Sequence, residues 1–273
     1  VRRYPHFGAI NPADIPDFDL GRNLSLQDQE KDNAPTECTG YTAAHILSAI
    51  FNVRFSPDFS FAANRYITGE GPGVDGASFH GAMDALVGYG GLPLKDAPFD
   101  AKTTSELYIS DFGRWSPTLP DSRAYVQNGV RNVLGFGDAF DSILSAISQG
   151  GIPVSVGSPW FPEWTTGIDQ GIVRMPDISN TQGDAWHNYT ADGKTTINAV
   201  PYLIVYSHQG NRVGDDGKLY FSRETVNAAL SIPGSGALSI DPHAIRFISL
   251  LGILAIRFPA ILPQLPALVK AGL

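Results

Sequence analysis

Cys38 is the single cysteine among 273 residues, and as a thiolate it would be the strongest nucleophile in the chain. It stands at the head of CTGYTAAHILSAIF, where Ala43, Ala44, Leu47, Ile50 and Phe51 recur at helical spacing. Pro35 and Thr36 just upstream are helix-start signals, so the spacing predicts a helix with Cys38 in its first turn. Unpaired backbone N–H groups and the helix dipole favour an anion there, which predicts a lowered thiol pKa. The ordinary reading of an isolated cysteine is a small buried hydrophobe. The polar neighbours Glu37, Thr39 and Gly40 argue for the reactive alternative. A cysteine nucleophile needs a base, usually a histidine oriented by a third group. The chain has six histidines: His6, His45, His80, His187, His208 and His243. His45 and His80 fall on predicted helices, where a packed or solvated imidazole is the ordinary reading, and His6 and His243 lie in terminal segments. His187 and His208 remain as candidates.

The elements that must position such a pair can be read more coarsely. A 43% hydrophobic share allows a full core, arranged as one large domain or two lobes. A net charge of −8 with sparse charge excludes the electrostatic footprint of a nucleic-acid binder. One cysteine excludes an intrachain disulfide framework, no Cys/His cluster has zinc spacing, and no metal or organic cofactor is implied. The 29 glycines and 20 prolines suit a loop-rich α+β protein better than a helical bundle. Residues 1–26 read as an extended polar lead-in. Ser78 to Val87 is predicted as a helix with Phe79, Met83, Leu86 and Val87 on one side, ended by Gly88, Gly90 and Gly91. Residues 101–136 read as a variable loop with a short helix. Residues 140–151 form another predicted helix, and Ile152–Gly157 a short apolar strand. Trp160, Phe161 and Trp164 follow on a loop, where such aromatics more often pack than bind substrate.

A glutamine ahead of a cysteine that opens an Ala-rich helix resembles the papain-like cysteine peptidases. Asp28-Gln29, nine residues before Cys38, is the best match, with a loop about three residues longer than the usual motif. Gln27 is the fallback. DGASFHGAMDALVGYGGLPLKDAPFD is similar to the bacterial and viral branch, in which a glycine-rich loop borders the substrate groove and a Pro-aromatic-Asp sequence follows, here Pro98-Phe99-Asp100. On that resemblance Gly73 and Gly76 line the groove; as plain turn glycines they need no function. The longest match runs ungapped from Leu203 to Ser222, with Gly210, Gly214 and Gly217 on the family glycines and Leu219-Tyr220-Phe221 on its final strand.

The resemblance implies an α+β, two-lobe fold: a helical lobe carrying the Cys38 helix and an antiparallel β lobe carrying the histidine. It implies Cys38 as nucleophile, His187 as base because it lies one strand upstream of the glycine block, and Gln29 with the Cys38 N–H as oxyanion donors. Ser207 stands where the family has the Asn that orients the histidine. Gln209 stands where it has a shielding Trp, and Asn188–Asp192 is more polar than the usual apolar strand. The expected activity is hydrolysis of peptide bonds. The alternative is a catalytically weak or inactive papain-like module acting as a structural or binding component of a larger assembly, such as a phage particle. The expected domain spans 1–235. The apolar tail 236–273, above all 243–273, is expected to dock on a protein partner or neighbouring subunit. Its prolines and few basic residues count against a membrane span or surface role, and an extracellular or virion-associated setting is expected.

Overall fold

The fold is that of a computed structural model describing residues 10–22, 24, 28–29, 32, 37–70, 76–98, 119–127, 129–134, 138–164, 170–180, 185–211 and 213–240. Gln27, Gly73, Phe99, Asp100 and the tail 243–273 lie outside the described residues.

Three helices build one lobe. α1 (Cys38–Phe51) ends at Asn52, which adopts the left-handed conformation and returns its N–H to Ser48 O. Residues 38–48 of α1 are all buried, so this helix is enclosed by neighbours rather than laid on a surface. α2 (Pro57–Thr68) starts where Ser56 Oγ accepts from Phe59 N–H, has Pro57 in its first turn and stops at left-handed Gly69. α1 and α2 approach so closely that a Cβ on Gly40 would lie 2.6 Å from Pro57 O, which explains a glycine inside a helix. α3 (Phe79–Gly88) is capped by Ser78. Ala43, Ala44, Ile46, Leu47, Met83 and Leu86 form the core between these helices and the sheet.

The other lobe is an antiparallel sheet in the order β2–β7–β3–β4–β5–β6, with β1 paired to β4. The strands are β1 (Phe18–Asp19), β2 (Val130–Asn132), β3 (Val154–Pro159), β4 (Trp186–Ile197), β5 (Val200–Tyr206), β6 (Lys218–Ser222) and β7 (Gly236–Ile240). α4 (Ala139–Gly150) and α5 (Arg223–Leu230) cover its far face, joined by Arg223 to Asp141 at 2.6 Å and to Asp138. Trp164, Phe221, Tyr189, Phe140, Val154 and Leu203 belong to the core beneath them. β7 pairs with both β2 and β3, so the sheet runs five residues past the domain boundary expected at 235. The strand expected at 152–157 is shifted by two residues, to 154–159.

Candidate active site

Cys38 is the first residue of α1 and is 9% exposed. Burial pushes its thiol up to about 11; backbone N–H groups of Asn188, Thr39 and Cys38 itself oppose this, and Glu37 adds to it. The lowered pKa expected from the helix terminus is therefore corrected. The dipole is worth about 0.3–2 kcal/mol, whereas removing an anion from water costs several kcal/mol, so desolvation wins.

His187 is the second residue of β4, and its Nε2 lies 2.8 Å from the main-chain oxygen of Ser207. A carbonyl only accepts, so Nε2 carries the proton and the neutral ring presents its lone pair at Nδ1. Burial pushes this imidazole down to about 4, with the Ser207 carbonyl pulling the other way. The group that orients the ring at position 207 is thus main chain. Ser207 Oγ is buried and finds no hydrogen-bond partner among the described residues. The indole missing at Gln209 is supplied from the end of β3: Trp160 meets the His187 ring edge-on at 4.6 Å. Among the described residues no hydrogen bond links the thiol to the His187 ring. The sulfur faces the N–H of Asn188, the next residue along β4. Burial thus disfavours the charged form of each group.

The turn after β5 holds two parts of the site at once. Ser207 O receives His187, and His208 O, the next carbonyl, receives Gln29 N–H at 2.9 Å. His208 has φ 64° and Gly210 φ 78°, which bend the chain to present both carbonyls. A Cβ at Gly210 would lie 2.1 Å from Asp28 Oδ2, so the neighbouring Asp28–Gln209 bridge requires glycine. Gln29 is buried, and its N–H bond to His208 O sets it against this turn. Gly76 precedes α3, and its carbonyl accepts from the buried Arg65 at 3.4 Å. Gly73 lies outside the described residues.

Sequence reasoning passed over the polar contacts behind the pair. Thr42 Oγ1 donates to Asn188 O at 3.0 Å, and His45 Nε2 lies 2.7 Å from Asp192 Oδ2. His208 Nε2 lies 3.2 Å from Thr190 Oγ1. The available signal was the spacing Cys38, Thr42, His45, which puts three polar side chains on one face of α1. Burial pushes the His208 imidazole well below the ordinary range, with the neighbouring His45 and His187 acting in the same direction. No group of three His, Cys, Asp or Glu side chains among the described residues could hold a metal ion.

This arrangement of lobes, Cys helix and His strand is the papain-like cysteine peptidase fold. Xylellain, a cysteine protease from Xylella fastidiosa, superimposes with a TM-score of 0.66 at 16% identity, covering 86% of this chain and 90% of that one. Procathepsin L 3 from the larval midgut of Tenebrio molitor gives a TM-score of 0.56 at 16% identity over 84% of this chain and 72% of that one. Bromelain from Ananas comosus, solved with the inhibitor E64, gives 0.55 at 16% identity over 83% and 99%. No protein-family model and no curated protein sequence matches the chain.

Proposed function

We propose that this protein is a cysteine peptidase in which Cys38 and His187 form the catalytic pair. The observation that carries the reading is the bond from His187 Nε2 to Ser207 O. It fixes the one tautomer whose Nδ1 can take a proton from a thiol, although no side-chain amide is present at position 207. In the proposed reaction Cys38 Sγ attacks the scissile carbonyl as its proton passes to Nδ1. The Cys38 N–H, in a first helical turn without an intrahelical acceptor, and the Gln29 side-chain amide stabilise the oxyanion. Nδ1–H then protonates the departing amine, and water attacks the thioester with His187 again accepting the proton. Burial disfavours both the free thiolate and the imidazolium, so in this reading thiol deprotonation accompanies attack.

A second reading has a specific observation in its favour: among the described residues no hydrogen bond links Cys38 to His187, and burial pushes the thiol up to about 11 and the imidazole down to about 4, which suits a catalytically weak or inactive binding module. One experiment separates the two. Wild type and Cys38→Ala are incubated at neutral pH with an unstructured protein substrate and with a peptidyl epoxide, and intact masses are recorded. The peptidase reading expects cleavage and a single adduct in wild type, and loss of both on Cys38→Ala by about 10⁴-fold or more in rate. A folded wild type that neither cleaves nor labels defeats it in favour of the module.

A further inference from the structure

Directly behind the proposed pair lies a buried polar group that the chemistry above does not use. His45 is 8% exposed and Asp192 is 0% exposed, and they meet at 2.7 Å. The His45 ring also meets the His208 ring edge-on at 5.2 Å and the Tyr206 ring at 5.2 Å. Asp19 on β1 completes the surroundings, accepting from Tyr206 Oη at 2.9 Å. Each member stands on a different part of the site. His45 is two turns along α1 from Cys38, and Asp192 follows His187 on β4. His208 occupies the turn whose carbonyls hold His187 and Gln29.

Asp192 occupies the bulge of β4. The pairing with β5 passes from Ala191↔Val205 to Gly193↔Ile204, leaving Asp192 unpaired between them. Alternation along β4 turns this side chain to the face shared with Asn188 and Thr190, where it gives α1 a carboxylate. A buried polar pair of this kind is a poor stability device, because desolvation offsets its attraction and apolar replacements are often neutral or stabilising. Its geometric consequence is larger. α1 faces β4 at three points spaced i, i+4 and i+7: Cys38 towards the Asn188 N–H, Thr42 on the Asn188 carbonyl, and His45 on Asp192. With the third point in place, α1 can neither slide along β4 nor turn about its own axis.

We propose that His45 and Asp192, with His208 packed on the imidazole, are positioning residues that set Cys38 against His187 and Gln29. This rests on the peptidase reading. The test uses Asp192→Asn, which keeps the volume, and the double variant His45→Leu/Asp192→Val, which replaces the pair with apolar groups. Melting temperature, kcat and KM on a peptide substrate, and the rate of Cys38 alkylation by iodoacetamide are measured for each. The double variant is expected to melt within a few degrees of wild type while kcat falls about 10²-fold, as misplacement of order 1 Å does. KM should stay within about threefold, and the alkylation rate should change by about fivefold or more, since a small misalignment weakens the step more than binding. A folded double variant with wild-type kcat and alkylation rate overturns the proposal. If the double variant does not fold, Asp192→Asn decides: a lowered kcat at constant KM supports positioning, and unchanged kcat overturns it. If wild type itself hydrolyses nothing, the peptidase reading fails. The alkylation rates then judge the brace alone, and equal rates in wild type and variants overturn it.

Discussion

The two sides of β4 are both buried and are built from opposite materials. Tyr189 and Ala191 turn into the apolar core with Trp164, Phe221 and Phe140. Asn188, Thr190 and Asp192 turn towards α1 and the 207–210 turn, and all three are 0–2% exposed. They bond instead of merely packing: Asn188 Nδ2 to Ser155 Oγ at 2.9 Å, Thr190 to His208, and Asp192 to His45. The strand that reads as too polar for its place is therefore an ordinary alternating strand with water absent from both faces. One face supplies burial free energy, which has no preferred direction. The other supplies directional contacts, which fix one lobe against the other at the cost of desolvating polar groups. Stability and alignment are thus assigned to different faces of a single strand.

That division can be broken first on the apolar side. Trp164 is fully buried, donates to Arg174 O at 3.1 Å and meets the Phe221 ring at 4.7 Å. Trp164→Ala is expected to cost about 3–5 kcal/mol of stability. The kcat of the molecules that remain folded should be close to wild type, because no residue of α1 belongs to the core around Trp164. Chemical denaturation together with active-site titration at low temperature checks this. A kcat loss per titrated site beyond about threefold would mean the two faces are not separable.

A smaller effect is expected from pH. The His187 imidazole is displaced from 6.5 to about 4 by burial. Between those values the unfolded chain binds a proton that the folded protein refuses, so stability falls as pH drops from 6.5 towards 4 and the loss levels off below. The ring keeps partial exposure, so the contribution is at most about 3 kcal/mol. His208 is displaced in the same direction and adds to the slope. In urea melts at pH 7, 5 and 4, His187→Gln should show a shallower loss than wild type. Equal slopes in the two proteins would mean that His187 is not held neutral by burial.

The residues legible in the sequence were those whose signal is local. The α1 period, Cys38 at its head and His187 one strand before the glycine block all lie where expected. Gly210, Gly214 and Gly217 do carry positive φ, which is why that block aligned without a gap. α2 went unread even though Ser56-Pro57 and Gly69 bracket it, because Asp58, Asn64 and Arg65 are buried along with Phe59 and Phe61. A helix buried on several sides shows no amphipathic contrast for periodicity to detect. The α1–β4 brace was illegible for a different reason: His45 and Asp192 are 147 residues apart in sequence, and nothing near either one specifies the partner.

The smallest expected effect is the sharpest test of how the histidine is held. A side-chain reading of position 207 finds a serine too short to replace an asparagine, and so predicts a poorly oriented base. The contact is made instead by the main-chain oxygen, which every residue possesses. Ser207 is 0% exposed and its hydroxyl is buried with no partner among the described residues. Ser207→Ala should therefore leave kcat/KM within about threefold and stability unchanged or slightly raised, since it deletes an unsatisfied polar group. Ser207→Asn should do worse than Ser207→Ala. It forces extra volume into a filled position at a cost of about 1–3 kcal/mol, and the imidazole it would hold is already held. Steady-state kinetics and thermal melts on the two variants decide between the accounts. A loss of tenfold or more in Ser207→Ala, or a gain in Ser207→Asn, would place the orienting interaction on the side chain and remove the main-chain explanation of the site.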